Sequence, residues 1–217
     1  MSKSKNVIIE SIRKTGIVAI MRANSSEQLL AAADAVKAGG VNAIEVTMTT
    51  PGALRVIEQA TARYGEEVIF GVGSVLDPET ARAAILAGAQ FVVCPTLKLE
   101  TIEMCHRYDI PVVPGAYTPT EVLTAWEAGA DMVKIFPASV GGPAYIKAVK
   151  APLPQVRLVP VGGVNLKTTA DFIRAGSEVV GVGGSLINQK LLEAQEFKTI
   201  TENARRYCEE VEKGRSG

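Results

Sequence analysis

The chain has 217 residues, 47% of them hydrophobic and 5% aromatic, so it is long enough to bury an aliphatic core without disulfides or metals. Its 23 basic residues balance 23 acidic ones, which argues against a nucleic-acid-binding surface. No apolar run approaches the roughly 20 residues of a membrane-spanning helix, and the polar start of the chain lacks the apolar segment of a signal peptide. We therefore expect a soluble, cytoplasmic protein with no membrane partner.

Short apolar runs alternate with amphipathic segments along the whole chain. A first amphipathic helix is predicted at 6–15, before any strand. Strands are then predicted, in chain order, at 16–21, 43–47, 68–73, 91–94, 111–115, 132–136, 157–161 and 179–183. The segments that follow them are predicted to be helical at 26–39, 51–64, 77–87, 98–108, 118–129, 145–149, 166–175 and 191–213. Pro51, Pro78 and the capping-box pair Thr118 and Glu121 mark three of the helix starts.

The strands are near-continuous apolar runs, which is typical of a parallel sheet covered by helices. Eight strand–helix units spaced roughly 20 to 26 residues apart predict a (β/α)8 TIM barrel with an extra N-terminal helix, forming one domain over residues 1–217. A doubly wound open sheet is the alternative. It would require a glycine-rich dinucleotide fingerprint after the first strand, where this chain has Arg22, Ala23 and Asn24.

Cysteine and histidine are too sparse to indicate a metal site. The three cysteines, Cys94, Cys105 and Cys208, follow no CxxC spacing, and their odd number is typical of free thiols in a reducing compartment. The single histidine, His106, is interpreted as a surface residue of a helix, so no zinc site is expected. Cys94 is interpreted as a core residue, because no acid–base residue is evident to activate its thiol.

The predicted sixth strand carries a lysine in the middle of an apolar run. Lys134 lies between Val133 and Ile135, with Met132 and Phe136 beyond them. A lysine is rarely buried unless a neighbouring group pairs with it or uses it, and burial favours the neutral, nucleophilic amine. Lys134 is therefore a candidate Schiff-base lysine. The alternative is a lysine that reaches the end of its strand or forms a structural ion pair.

A second charged residue, Glu45, lies inside the predicted second strand. Because side chains alternate between the two faces of a strand, Glu45 and Thr47 share the face opposite to Ile44 and Val46. If the aliphatic residues face the helices, Glu45 points into the interior, and the same alternation points Lys134 inward. A buried structural ion pair is the alternative, but it contributes little net stability, so we interpret the pair as catalytic.

Two glycine-rich loops follow the last two predicted strands. Gly162 and Gly163 follow the seventh strand, and Gly184 and Ser185 follow the eighth. Barrel enzymes frequently bind phosphate with backbone N–H groups at these two places, where glycine lets the backbone approach the ligand. Either loop alone would be an ordinary tight turn, but the two together predict a phosphate site.

Other residues at the predicted strand ends are weaker candidates. Arg22, after the first strand, could bind an anion or lie at the rim. Thr47 and Ser74 could bond a substrate carboxylate or cap backbone groups. Together with Pro95 and Phe136, at the ends of the fourth and sixth strands, they complete the predicted substrate site.

Six short motifs occur along the chain: Ile-Glu-Val-Thr at 44–47, Gly-Val-Gly-Ser-Val at 71–75, Val-Pro-Gly at 113–115, Val-Lys-Ile-Phe-Pro-Ala at 133–138, Pro-Val-Gly-Gly-Val at 160–164 and Gly-Gly-Ser at 183–185. In type, order and spacing they resemble the 2-keto-3-deoxy-6-phosphogluconate (KDPG) aldolases, a class I pyruvate aldolase family that includes 4-hydroxy-2-oxoglutarate (KHG) aldolase. The resemblance extends from Gly16 to Ser185.

The resemblance implies that Lys134 forms the Schiff base, that Glu45 is the acid–base residue and that the two glycine loops hold the phosphate. Ser74 falls on a family threonine near the pyruvate carboxylate and keeps the hydroxyl. One position departs, because many members carry arginine where this chain has Thr49. Arg22 is then the better candidate for the anion partner, and the stereochemistry of the sugar acid stays open.

The resemblance further implies cleavage of KDPG to pyruvate and glyceraldehyde 3-phosphate, a reaction of the Entner–Doudoroff pathway, and of KHG to pyruvate and glyoxylate. The family is usually a homotrimer, and its Schiff-base chemistry needs no metal or other cofactor. The alternatives are a 2-keto-3-deoxy-6-phosphogalactonate aldolase, a phosphosugar-binding barrel of another class, and a non-catalytic oligomeric scaffold.

Overall fold

The computed structural model describes residues 4–23 and 25–217. The predictions made for the polar start of the chain at residues 1–3 and for Asn24 therefore lie outside the described residues. Within the described chain, short strands alternate with helices. The strands are Ile17–Met21 (β1), Ala43–Thr47 (β2), Ile69–Gly73 (β3), Val92–Val93 (β4), Val112–Val113 (β5), Gly115–Ala116 (β6), Val133–Ile135 (β7), Leu158–Pro160 (β8) and Val180–Val182 (β9). The helices are Lys5–Thr15 (α1), Ser26–Ala38 (α2), Ala53–Tyr64 (α3), Pro78–Leu86 (α4), Leu99–Arg107 (α5), Pro119–Glu127 (α6), Gly142–Lys150 (α7), Thr169–Arg174 (α8), Gln189–Glu193 (α9) and Phe197–Arg215 (α10). None of these helices has the length and apolar character needed to cross a membrane.

The paired strands all run parallel and form two sheets. The larger sheet has the order β5-β4-β3-β2-β1-β9, and the smaller one has the order β6-β7-β8. A parallel bridge between Val161 and Gly181 connects the end of β8 to β9. In the larger sheet β1 to β5 lie side by side in chain order, which is not the order of a doubly wound sheet. The predicted parallel α/β architecture is therefore confirmed.

Two predicted elements are wrong as single units. The predicted strand 111–115 consists of β5 and β6, which belong to different sheets and are separated by Pro114. Proline has no N–H with which to continue the ladder. The predicted final helix, 191–213, is divided into α9 and α10 because Gln195 has a left-handed φ of 54°, which a right-handed helix cannot accommodate.

Apolar residues pack on both faces of the strands. The inner face of the sheets is defined by one apolar cluster: Val18, Ile20, Ala43, Ile69, Phe91, Val93, Val113, Met132, Val159, Val161 and Val179. The cluster between the strands and the helices contains Ile44, Val46, Val133 and Ile135. The alternation predicted for β2 and β7 is confirmed, because their intervening charged side chains line a cavity on the inner face.

Helix α1 covers the inner face where the strands begin. Its Ile8 and Ile12 pack into the inner-face cluster. Lys5 anchors the start of α1 through an ion pair of 2.9 Å with Asp131, which precedes β7. The second Asp131 oxygen accepts a hydrogen bond of 2.9 Å from the N–H of Val112. Because α1 closes this end, the inner face opens toward the carboxyl ends of the strands.

Candidate active site

Lys134 occupies the centre of β7, between two neighbouring strands. Its register partners are Gly115 of β6 and Val159 of β8, and its backbone N–H donates to the carbonyl of Pro114 at 2.9 Å. Only 6% of Lys134 is exposed. Its side chain lines a small inner-face cavity together with Glu45 and apolar residues of several other strands. The strand thus holds an amine in a mostly apolar interior.

Glu45 lies at the centre of β2 and is 2% exposed. Its carboxylate fills the space in front of Gly73, on neighbouring β3. A Cβ built on Gly73 would lie 1.8 Å from Oε1 of Glu45 and 2.3 Å from its Cδ. Glycine is therefore required for this carboxylate to fit against β3. This role of Gly73 was not predicted from the sequence. The feature that could have indicated it is a glycine inside an apolar strand.

Glu45 and Lys134 interact electrostatically without forming an ion pair. Burial raises the pKa of the Glu45 carboxyl, and the positive charges of Lys134 and Arg22 counter that rise only in part. Within the described residues, no hydrogen bond or ion pair engages either the Glu45 carboxyl or the Lys134 amine. Both groups are thus available to a third molecule, and a carboxyl with a raised pKa is suited to moving a proton near neutral pH.

A cleft of about 410 Å³ opens where β1, β7, β8 and β9 end. Its lining brings together six of the predicted site residues: Arg22, Phe136, Gly162, Gly163, Gly184 and Ser185. Val161 and Gly181 line both this cleft and the cavity of Lys134 and Glu45, so the two spaces adjoin. The Lys134 ammonium nitrogen lies 5.0 Å from the ring centroid of Phe136, which also lines the cleft.

Backbone N–H groups are available in the wall of this cleft. The turn after β8 contains two left-handed glycines, the second of which, Gly163, has a φ of 79°. Several amides of the lining have no hydrogen-bond partner among the described residues: those of Gly163, Val164, Gly184 and Ser185. The Ser185 hydroxyl donates to the Val164 carbonyl at 2.7 Å, which ties the two loops together. Free amides beside the cationic Arg22 side chain suit an anionic group.

Three predicted residues, Thr47, Ser74 and Pro95, lie at or just after the ends of β2, β3 and β4 but line neither the cleft nor the cavity. Thr47 is fully buried, and its Oγ1 lies 2.9 Å from the Oγ1 of exposed Thr49. Ser74 has a left-handed φ of 61°, which is uncommon for a residue other than glycine. Pro95 packs against Gly115, where an added Cβ would lie 2.3 Å from the Pro95 carbonyl oxygen. The structure thus places these three at strand ends, outside the lining of both the cavity and the glycine-lined cleft.

Cys94 and His106, which were predicted to lie outside the site, occupy the core and the surface as predicted. Cys94 is 2% exposed in the cluster between strands and helices, and burial raises its pKa to about 12, so it remains a thiol. His106 is exposed on α5, with its Nε2 2.9 Å from the carbonyl of Gly129. Among residues 4–23 and 25–217, no group of three or more His, Cys, Asp or Glu side chains is placed to hold a metal ion.

The cleft also contains residues that the sequence interpretation did not name. Ile20, from the inner face of β1, and Asn165 both contribute to its lining. The signal for Asn165 was its position directly after the glycine loop. No comparable signal distinguished Ile20 from the other apolar residues of β1.

A lysine amine and a buried carboxyl line one cavity among the parallel strands, and an amine and an acid–base group are what Schiff-base chemistry requires. The family model of the KDPG and KHG aldolases matches residues 8–203. This chain belongs to that family and is a member of the aldehyde-lyases, which cleave carbon–carbon bonds.

The relatives of the chain carry the names of this family. It is 38% identical to the 2-dehydro-3-deoxy-6-phosphogalactonate aldolase of Escherichia coli K12 over 174 residues, which cover 80% of this chain and 85% of the relative. It is 38% identical to the 2-dehydro-3-deoxy-phosphogluconate aldolase of Pseudomonas aeruginosa over 177 residues, which cover 80% of this chain and 78% of the relative. The structure of KDPG aldolase from Legionella pneumophila, with pyruvate captured as a covalent carbinolamine intermediate, matches with a TM-score of 0.85 at 27% identity, covering 91% of this chain and 96% of the other.

Proposed function

We propose that this protein is a class I aldolase that cleaves KDPG to pyruvate and glyceraldehyde 3-phosphate, and that it also cleaves KHG to pyruvate and glyoxylate. The observation that carries the proposal is the pairing of Lys134 and Glu45 in one buried cavity that adjoins the glycine-lined cleft. Relatives named for KDPG and for KHG support the choice of substrates.

Lys134 supplies the covalent step. Its neutral amine adds to the C2 carbonyl of the keto acid to give a carbinolamine, and loss of water gives an iminium. The iminium accepts the electron pair of the C3–C4 bond when that bond breaks. The mostly apolar walls of the cavity leave the amine free of competing hydrogen-bond partners, so that it can reach the carbonyl carbon.

Glu45 moves the protons. Its carboxylate removes the proton of the C4 hydroxyl, the C3–C4 bond breaks, and the aldehyde leaves with the C4 carbonyl. The protonated Glu45 then returns the proton to C3 of the enamine. Water hydrolyses the resulting iminium, which releases pyruvate and the free Lys134 amine. Gly73 sets the position of the carboxylate for both transfers.

The cleft beside the cavity holds the phosphate end of the substrate. Arg22 provides a positive charge, and the free amides around Gly163 and Gly184 provide directed donors. Phe136 lies on the cleft wall next to Lys134 and contacts the chain of the substrate between its two ends. The carboxylate end is assigned to the strand ends that carry the remaining predicted residues, Thr47, Ser74 and Pro95.

The proposal extends to the organisation of the molecule. The two sheets close into one barrel with eight strand positions, one of which is shared by the short strands β5 and β6, and residues 1–217 form one domain. The Val161–Gly181 bridge between the sheets supports this closure. The homotrimer is what the family resemblance implies, and exposed large apolar side chains, among them Leu76, Leu86 and Val140, are available for contacts between copies of the chain. We also propose a cytoplasmic location, which the free thiols support, and no membrane or nucleic-acid partner.

Trapping with pyruvate and borohydride tests the covalent step. Reduction of the iminium is expected to attach pyruvate permanently to Lys134, as peptide mass spectrometry would show. A Lys134→Met variant should remain folded and unlabelled. An adduct on another lysine, or none, would refute the mechanism, and a phosphosugar enzyme of another class would not be labelled at all.

A substrate panel tests the choice of keto acid. Pyruvate release is followed by coupling to lactate dehydrogenase, with KDPG, its galactonate epimer and KHG as substrates. The galactonate epimer is included because Thr49 stands where many family members carry arginine. The highest kcat/KM is expected for KDPG. Preference for the epimer would change the assigned substrate but not the Schiff-base chemistry, and inactivity on all three would favour a non-catalytic scaffold.

A further inference from the structure

Asn165 lies in the loop between β8 and α8 and lines the cleft directly beside the glycine turn. Its backbone is fixed to the start of α8. Its N–H donates to the Thr168 hydroxyl at 3.1 Å, and its carbonyl accepts from the Thr169 N–H at 3.0 Å and from the Thr169 hydroxyl at 2.8 Å. The side chain of Asn165 therefore starts from a well-anchored position.

Both ends of the Asn165 side-chain amide have partners. Nδ2 donates to the carbonyl of Gly163 at 3.1 Å, and Oδ1 accepts from the N–H of Lys167 at 2.9 Å. A backbone carbonyl can only accept and a backbone N–H can only donate, so the amide has one orientation that satisfies both. Asn165 thus joins the glycine turn to the anchored start of α8.

The glycine turn needs such a link. Gly162 and Gly163 have φ values of 89° and 79°, and glycine can change its backbone conformation at little steric cost. In a planar trans peptide the C=O and the following N–H point in opposite directions. Fixing the Gly163 carbonyl therefore also fixes the N–H of Val164, which has no hydrogen-bond partner within the described residues.

We propose that Asn165 is a positioning residue for the phosphate of the substrate, because its bond to the Gly163 carbonyl holds the adjacent amides in the orientation that binds the anion. This role rests on the proposed aldolase function. It concerns binding of the phosphate end alone, since the Lys134 and Glu45 side chains lie in the adjoining cavity, which Asn165 does not line.

Phosphorylated and unphosphorylated substrates separate this role from a general structural one. In Asn165→Ala, KM for KDPG is expected to rise about tenfold, equivalent to about 1.4 kcal/mol, with kcat unchanged. KM and kcat for KHG, which has no phosphate, should stay at wild-type values. The inhibition constant of inorganic phosphate against KHG cleavage should rise in parallel with KM for KDPG.

Asn165→Asp provides a second variant that is expected to fold. Aspartate keeps the acceptor for the Lys167 N–H and is itself a good turn residue, but its ionised side chain has no donor for the Gly163 carbonyl. KM for KDPG should rise at least as much as in the alanine variant. Wild-type KM in Asn165→Asp, or equal losses on KDPG and KHG in both variants, would overturn the proposal.

Asn188→Ala is the matched control. Asn188 Oδ1 accepts from the Leu191 N–H at 3.0 Å after the other glycine loop, but Asn188 does not line the cleft. Its removal should leave KM for KDPG unchanged. If the wild-type protein cleaves no keto acid, the aldolase function fails, but titration calorimetry with inorganic phosphate still tests Asn165. Equal phosphate affinity in wild type and Asn165→Ala would then refute the positioning role by itself.

Discussion

The fit of Glu45 against Gly73 predicts that a single methyl group in β3 will displace the carboxylate that we propose as the acid–base group. In Gly73→Ala the new Cβ would lie 1.8 Å from Oε1 and 2.6 Å from Cγ of Glu45. Carbon atoms make their best non-bonded contacts at about 3.5–4.0 Å, so the carboxylate must move by more than about 1 Å. Gly73 does not have a positive φ, so alanine suits its backbone and the effect is confined to this contact.

The expected cost follows from the geometry of proton transfer. A displacement of about 1 Å can lower a rate about 100-fold, so we expect kcat of Gly73→Ala to fall at least about 100-fold with little change in KM. Steady-state cleavage coupled to lactate dehydrogenase measures that loss. Exchange of the pyruvate methyl protons with deuterium, followed by NMR, reports the proton transfer at C3 and should fall by a similar factor. Borohydride trapping at Lys134 should persist.

Gly71→Ala is the control on the same strand. The three atoms nearest to its Cβ would all belong to the Phe91 ring, at 2.5 Å, so alanine here would overpack the inner face chiefly against that ring. Both variants should lose about 1–3 kcal/mol of stability, the usual cost of overpacking, as urea unfolding would show. Wild-type kcat in Gly73→Ala, or an equal loss of kcat in Gly71→Ala, would refute the assigned role of Gly73.

Three further predictions concern the buried charges. Lys134→Met should abolish cleavage while the melting temperature stays equal or rises, because a methionine fits an apolar cavity without the cost of burying an ammonium. A large fall in melting temperature, measured by calorimetry, would contradict this prediction. Burial raises the pKa of Glu45, so its contribution to stability is present in acid and is lost as pH rises through the folded pKa. Glu45→Gln should therefore gain melting temperature relative to wild type as the pH rises above about 4.3, the ordinary pKa of glutamate, and a difference that stays constant with pH would show that the pKa is not raised. Asp131→Asn removes the partly buried ion pair with Lys5 and should lower the free energy of unfolding by about 1 kcal/mol, which is a fall of about 2–4 °C in melting temperature. The kcat should stay unchanged. A loss of kcat without a loss of stability would contradict this prediction and show that α1 affects the site.

The sequence by itself determined the alternation of strands and helices and which side chains of β2 and β7 face inward. The alternation of side chains along a strand is a local property, so the inner-face positions of Glu45 and Lys134 follow from their immediate neighbours. A charged residue inside an apolar run stands out in the sequence, and so does a glycine pair at the end of such a run. The cleft accordingly brings together the predicted Arg22, Gly162 and Gly184.

Only the tertiary structure decided how closely these elements approach one another. The sequence gives no distance between the Glu45 carboxylate and Gly73, which lie on adjacent strands, or between the Ser185 hydroxyl and the Val164 carbonyl. The separation of β5 from β6 at Pro114 likewise depends on the tertiary structure, because β5 pairs with β4 in the larger sheet and β6 pairs with β7 in the smaller one. The physical reason is that a residue pattern reports the direction of a side chain, whereas clearance and hydrogen bonding depend on atoms supplied by segments far apart in the chain.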